Sequence, residues 1–546
     1  MPGMSSDGLT KLPNIPQLGD LPADQVTPVV LTLLEICHHQ REQIQQLRDE
    51  IARLKGGQGK PKIKPSALEH PGPGKDKGKR PKKRRKRRKT HQLRIHETVR
   101  IAPEAVPEGS RFKGYEDFTV QDIRIELHNT RFRLERWLSP SGERLVGKLP
   151  SELGGGHYGA TLIAYILHQY HHAHVTQALL VEQLHDWGVE ISPGQLSAII
   201  TEGKEAFHAE KEALLRVGLD LSSYIHVDDT GARHQGKNGY CTHIGNERFA
   251  YFASTGSKSR VNFLELLRAG RQDYRLTDEA LAYMKAQKLP TGPLALLAGY
   301  ENKCVSTQAQ WLSTLDALGI TDPRHSRIAT EGALLGCVLA HGLNRDLVIV
   351  SDDAGQFDVL VHALCWIHAE RVFVKLVGFN DAQRAALAAV RKEIWEIYAE
   401  LKAYKTAPDE EAKIRINARF EQLCATKTCF MSLNLALQRM HRNQAELLRV
   451  LERPETPLHN NLSERDIREY VKKRKISGST RSDQGRRCRD TFASLKKTCR
   501  KHGISFWDYL NDRVCGTYQI PPLGELVRQR AAPGAGTTAS ALPTCA

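Results

Sequence analysis

No stretch of the 546-residue chain is apolar for long enough to make a transmembrane helix. The N-terminus lacks the apolar core of a signal peptide. The eleven cysteines are scattered without a Cys-x-x-Cys pair, which fits a reduced cytoplasmic protein with free thiols. Acid is missing from residues 79–89, where ten of eleven residues are Lys or Arg. The formal charge of +17 is therefore concentrated locally. Such asymmetry points to a polyanionic partner, and no amphipathic or lipid anchor accompanies the run, so nucleic acid is expected and a membrane is not.

The length leaves room for several domains. Residues 1–25 are punctuated by Pro, Gly and Asp and are expected to be disordered. From Val30 a heptad emerges, with Val30, Cys37, Ile44 and Ile51 at one seam position and Leu33, Gln40, Leu47 and Leu54 at the other. That pattern predicts a coiled coil over 26–55, and a homo-oligomer joined through residues 30–54. A single amphipathic helix docked on its own chain is the alternative. Residues 56–95 form an extended basic linker, in which Lys82, Lys83, Arg84, Arg85, Lys86, Arg87 and Arg88 would meet phosphates rather than bases. Residues 96–150 alternate as strands do (Phe118, Val120, Ile123, Ile125, Leu127, then Phe132 and Leu134), with a turn at Ser139–Gly142. A small β module is expected there.

Residues 157–215 switch to helical periodicity. A helix over 175–187, a turn from Gly188 and a Ser192-capped helix opening with Pro193 make the outline of a helix-turn-helix. His168, His171, His172 and His174 have no Cys or acidic partner nearby and are expected on the polar surface, not around zinc.

Two strand-like segments end in paired acids before a Gly turn: Tyr224–Arg233 with Asp228 and Asp229, and Leu347–Gly355 with Asp352 and Asp353. Four consecutive aliphatics in the second suggest a central strand covered on both faces. Strands that deliver carboxylates to one edge of an α/β sheet make a site for divalent metal. A third acid, Glu464, opens a helix that turns basic through Arg465, Arg468, Lys472 and Lys475. Asp228, Asp352 and Glu464 are thus the candidate catalytic and metal-binding residues, suited to hold two Mg²⁺ ions for in-line displacement at phosphorus. Each has a plainer explanation. Asp-Asp before Gly is common turn chemistry, and Glu464 follows Asn461 at capping-box spacing. Periodicity does not choose between the members of each doublet.

These motifs resemble those of insertion-sequence-66-type bacterial DDE transposases. His-Val-Asp228-Asp-Thr is similar to the family's first-acid motif, Ser-Asp352-Asp-Ala-Gly to its second, and Asn460-Asn-Leu-Ser-Glu464-Arg465 to its third. Cys365-Trp366-Ile-His368 is similar to the block that follows the second acid. The resemblance implies a multidomain α/β chain. Its ribonuclease H-like catalytic core would span 220–510 with helical insertions at about 270–345 and 366–450; beyond it, Ala/Pro/Gly-rich composition predicts a flexible tail from 511. It implies that the first Asp of each doublet is the ligand, with Mg²⁺ (or Mn²⁺) as cofactor. It also implies cleavage and strand transfer at the terminal inverted repeats of an element in the bacterial nucleoid, with double-stranded DNA as partner and room for accessory proteins. A ribonuclease H-like nuclease without strand transfer, or a catalytically inactive DNA-binding descendant, are the alternatives. Where the family often carries a Cys/His zinc module, this chain has no cysteine between Cys37 and Cys241, so zinc is not expected there. Cys365 and His368 are too few for a metal site, and buried packing is expected of them.

Deleting residues 79–89 should weaken DNA binding for every sequence tested. It should also flatten the dependence of log K on log salt by about 1 for each phosphate no longer neutralised. Binding measured across a salt series checks this, and an unchanged slope rules the tract out as a phosphate-binding segment.

Overall fold

Residues 96–150 yield one hairpin, β1 (Arg136–Leu138) and β2 (Arg144–Val146), paired antiparallel around the Ser139–Gly142 turn. Gly142 takes a left-handed conformation there (φ 81°), as the turn requires. The wider β module is not formed. Phe118 and Ile123 are 90% and 82% exposed, and their alternation finds no second sheet to cover it. The computed structural model describes residues 95–150 and 156–532, with eight helical residues between Val30 and Ile44. The expected disordered start, most of the heptad segment, Lys82–Arg88 and residues 533–546 lie outside the described residues.

Four helices follow: α1 (Ala160–His171), α2 (Gln177–Asp186), α3 (Pro193–Thr201) and α4 (Glu205–Asp220). The turn from α2 to α3 passes through Gly188 at φ 80°. Ser192 and Gln195 make a reciprocal capping box at the start of α3, with Pro193 in its first turn, which satisfies two orphan backbone donors. Leu180, Leu184, Leu196 and Ile200 bury their shared faces in one small core. The histidines in and just after the last turn of α1 depart from expectation. His171 is buried and stacks on Phe492 at 4.1 Å, while His168 stacks on His172 at 4.5 Å and meets Phe506. Burial pushes His168 and His174 down to about 4, with Lys496 adding to the shift. They are neutral joints between helices; only His172 stays exposed.

The main sheet has the order β5-β4-β3-β8-β9. Its strands are β3 (Tyr224–Gly231), β4 (Tyr240–Gly245), β5 (Ala250–Thr255), β8 (Val348–Ser351) and β9 (Val361–Leu364). β3, β4 and β5 form an antiparallel ribbon, and β8 and β9 continue it in parallel from β3. All four residues of β8 are buried, as the aliphatic run predicts.

Between β5 and β8 come α5 (Arg260–Leu267), β6 (Tyr274–Arg275), α6 (Asp278–Ala286), α7 (Thr291–Gly299), β7 (Cys304–Val305), α8 (Gln308–Ala317) and α9 (Pro323–Ala340). Gly332 and Gly336 let α9 lie close on α6 and on the backbone of β6: a Cβ at Gly336 would collide with the Arg275 carbonyl. Between β9 and Asn460 lies a second helical group with its own core: α10 (Trp366–Val374), α11 (Asp381–Thr406), α12 (Glu410–Ala425), α13 (Met431–Arg442) and α14 (Gln444–Leu447).

The chain closes with α15 (Asn461–Ser477), α16 (Asp483–Lys501), α17 (Phe506–Val514) and α18 (Leu523–Ala531). A flexible tail from 511 is thus corrected for the described residues. Leu523 and Val527 sit in the main core against α4, and Glu210 of α4 accepts from the Leu523 amide (2.9 Å) and from Arg513 (3.1 Å). Leu523→Ala should cost about 2–4 kcal/mol, read as a lower urea midpoint at unchanged slope. A change below about 0.5 kcal/mol would show that α18 adds nothing to the core.

Candidate functional site

The acidic edge is built by strand alternation. Successive side chains on a strand face opposite ways. The His226 ring meets Asn460 and the Thr230 hydroxyl meets Arg474 (3.2 Å), both across from α15. Asp228 stands between these two residues and shares their face. On the next strand Val348 pairs with Tyr224 and Val350 with His226. Two residues further along, Asp352 follows the end of β8 in step with Asp228, on strands spaced about 4.8 Å apart.

The second members of the doublets have other duties. Asp229 faces the opposite surface and is buried. It accepts from Thr242 Oγ1 at 2.5 Å and from Gln356 Nε2 at 3.0 Å. Burial raises its carboxyl above the usual range, against those two bonds, and the nearby Asp352 charge adds to the rise. Asp353 is exposed and paired with Arg439.

Glu464 lies in the first turn of α15, whose head is hydrogen-bonded to β3. The Asn460 side chain, at the head of α15, donates from Nδ2 to the Val227 carbonyl (2.7 Å), and its Oδ1 lies 3.0 Å from His226 Nδ1. Burial pushes His226 down to about 4, so the ring is neutral. Because Asn460 Oδ1 can only accept, His226 carries its proton on Nδ1. Farther along, Ser463 Oγ lies 2.6 Å from His243 Nδ1. Asp466 reaches His243 Nε2 (3.2 Å), Lys497 (3.1 Å) and Lys501 (2.8 Å). Burial works against ionisation of Asp466, yet His243 and the two lysines hold its carboxyl well below the usual range. The first two turns of α15 are thereby tied to β3, β4 and α16.

The capping-box account of Glu464 is not what forms. Asn460 is the N-cap and makes no side-chain cap. Glu464 Oε1 instead lies 3.5 Å from both His368 Nε2 and Arg371 Nη2 of α10. Its place in the first turn of α15 favours negative charge. His368 therefore faces the third acid rather than packing in a core. Cys365 does pack: it is 1% exposed, and its sulfur accepts the Asn460 amide at 3.2 Å. Burial pushes that thiol up to about 11, against hydrogen bonds from the Asn460, His368 and Ile367 amides.

The basic stripe divides in two. Arg465, Arg468, Lys472 and Lys475 are exposed. Lys473 is buried and donates to the Tyr170 carbonyl at 2.7 Å, and Arg474 is held by Thr230 and Gly231 of β3. The residues that sequence reasoning missed are Asn460, His226, His243 and Arg371. Asn460 and His226 had a signal, since each opens one of the quoted acid motifs.

A mixed sheet whose central parallel pair ends in acid, crossed by a helix that starts acidic and turns basic, defines an α/β protein with an acidic edge beside a cationic surface. Comparison with known proteins is more specific. A model of the Transposase IS66 family matches residues 155–286 and 347–487, half of the chain, and the chain belongs to that family. An uncharacterized protein, y4jO, of Sinorhizobium fredii (strain NBRC 101917 / NGR234) is 44% identical over 321 residues, covering 58% of this chain and all of the relative. Among the described residues no helix is long and apolar enough to cross a membrane.

Asn460→Ala should remove both bonds to β3 and leave the Val227 carbonyl and the His226 N–H unpaired. The expected cost is about 2–4 kcal/mol of stability. Asn460→Asp, which keeps an acceptor for His226, should fall in between. Denaturant titration of the three proteins checks the order, and equal stability would remove Asn460 as the link between α15 and β3.

Proposed function

We propose that this transposase-family protein binds double-stranded DNA at the ends of its element, cuts a strand to expose a 3′-hydroxyl and joins that end to target DNA. Asp228, Asp352 and Glu464 are the proposed catalytic carboxylates. The observation that carries the reading is that Asn460, one turn before Glu464, hydrogen-bonds the residue immediately preceding Asp228. The antiparallel ribbon continued by two parallel strands supports a ribonuclease H-like core.

The donor set fits divalent metal, since all three candidates offer hard carboxylate oxygen from strand ends or a helix start, as Mg²⁺ requires. Bound there, Mg²⁺ or Mn²⁺ would ease deprotonation of the attacking hydroxyl or water and offset charge on the leaving oxygen. The protein's own groups do the rest. His368 and Arg371 orient Glu464, and the Asn460 bridge holds its helix to β3. The exposed Arg465, Arg468, Lys472 and Lys475 would bind phosphates flanking the scissile one, fixing register without reading bases.

Away from this edge, α2 and α3 are proposed as the helix-turn-helix that contacts the element's ends. The helical residues from Val30 to Ile44 leave Leu33 and Ile44, two of the seam residues, 55% and 39% exposed, which supports pairing with a second copy as a coiled coil. Two DNA ends held together need such an assembly.

Asp228→Asn and Glu464→Gln should each lower strand cleavage and strand transfer by more than about 100-fold, beyond what groups outside the metal's direct ligands usually cost. Binding to end DNA should stay within a few-fold. Cleavage and joining of a pre-nicked end, with binding measured in parallel, check this. Loss of binding instead would assign those acids a structural role. Cleavage without joining by the unaltered protein would favour a nuclease.

A further inference from the structure

A second cluster of ligand-type side chains lies in the segment between β5 and β8. Asp273 directly precedes β6, and β7 pairs its Cys304 with Arg275. Cys337 and His341 stand one helical turn apart at the end of α9 and its cap. His341 Nε2 lies 3.0 and 2.9 Å from the two Asp273 oxygens, and Cys337 Sγ lies 3.4 Å from Oδ1. Ligand atoms of Asp273, Cys337 and His341 all fall within 4.8 Å of one another. The exposed Cys304 stands outside that group but beside it, its Sγ 3.9 Å from Asp273 Oδ2.

Adjusted by a few tenths of an ångström, those separations would suit a tetrahedral ion. With Zn–S near 2.3 Å and Zn–N or Zn–O near 2.0–2.2 Å, neighbouring ligand atoms stand roughly 3.3–3.8 Å apart. Two thiols, an imidazole and one carboxylate favour Zn²⁺ over Mg²⁺, which prefers oxygen alone. Burial fits as well: Cys337 is fully buried and the Asp273 side chain is 17% exposed. Arg275 now holds the lone pairs that a metal would take, with Nε 2.5 Å from Asp273 Oδ2 and Nη2 3.2 Å from His341 Nε2. Its side chain is 31% exposed, so it has a route to solvent.

We propose that Asp273, Cys304, Cys337 and His341 form a structural zinc site that locks β7 and β6 onto the end of α9. β6 and β7 are two residues each, so the ladder itself contributes little, and an ion would add a direct link from it to the end of α9. Three of the four ligands lie in residues 287–346, between the two spans matched by the family model. The site is therefore a property of this segment and independent of the catalytic carboxylates. Binding would release the thiol protons as the thiolates coordinate.

The full-length protein, stripped with EDTA and titrated with Co²⁺, tests this. One equivalent per chain should give thiolate-to-cobalt charge-transfer absorption with tetrahedral d–d bands, both abolished by Zn²⁺. Mg²⁺-type carboxylate sites give no thiolate band. Cys337→Ser and His341→Ala should weaken Co²⁺ binding at least tenfold, whereas Arg275→Ala should leave it equal or tighter. Cys304→Ser, at an exposed position that does not disturb the core, should cut the charge-transfer intensity to about half even if the buried variants fail to fold. Absence of the band overturns the site and leaves an Asp–His–Arg ion cluster, and an undiminished band in Cys304→Ser overturns the four-ligand set by removing Cys304 from it.

Discussion

Everything at the acidic edge depends on one buried amide. The Asn460 side chain makes a hydrogen bond to the backbone of β3 and another to a neutral imidazole on the same strand, 233 and 234 residues away in sequence. A buried carbonyl or imidazole N–H without a partner costs more than a hydrogen bond contributes when made. The helix therefore has one favourable seat on the sheet. Ser463 and Asp466 fix its rotation through His243. With translation and rotation both set, the direction of Glu464 follows, as does the solvent-facing placement of Arg465 and Arg468. The low local polarity that makes these bonds obligatory also keeps His226 neutral, so the linkage survives ordinary pH without a compensating charge.

The doublets follow from the same alternation. Two adjacent acids on a strand cannot serve one surface. At β3 the sheet turns Asp228 toward α15 and Asp229 toward Thr242 and Gln356. Beyond β8 the second acid is paired with Arg439. In each pair the second carboxylate has a structural partner outside the edge. The cations of α15 divide in the same way. Lys473 and Arg474 secure the helix to its neighbours, while Arg465, Arg468, Lys472 and Lys475 stay exposed on the outer face. Net charge alone overstates the cationic surface, because part of it is internal wiring.

Local pattern made the strand-end acids, the capping box of α3, the Gly142 and Gly188 turns and the start of α15 legible in the sequence. Each is written within a few residues of where it acts. The expected β module was not formed because period-two alternation describes a strand willing to pair but does not supply a partner sheet. Helix α18 reads as tail in the sequence because its anchor, Glu210, lies in α4. The histidines of α1 were assigned to the surface because the aromatic partners that enclose them, Phe492 and Phe506, arrive more than 300 residues later. His368 was judged by its neighbour Cys365, yet its partner is Glu464. What escaped was in each case the far end of a long-range interaction.

The helical group between the second and third acids explains how such distant residues are kept together. It leaves the sheet at β9 and returns at Leu458, where the Trp366 amide donates to the Leu458 carbonyl at 3.0 Å. Trp366 Nε1 donates to the Leu447 carbonyl at 2.8 Å, sealing the same junction from inside the group's own core. An insertion whose ends are pinned to each other leaves the geometry of its host unchanged however long it grows. The Cys365–His368 block and the Asn460–Glu464 block are the two sides of that closure. Cys365 accepts the Asn460 amide and His368 faces Glu464, so the motif after the second acid acts as a clamp on the third. The two motifs are separate in sequence and form one structural unit, and the acidic edge is fixed by the closure of a helical insertion as much as by the sheet beneath it.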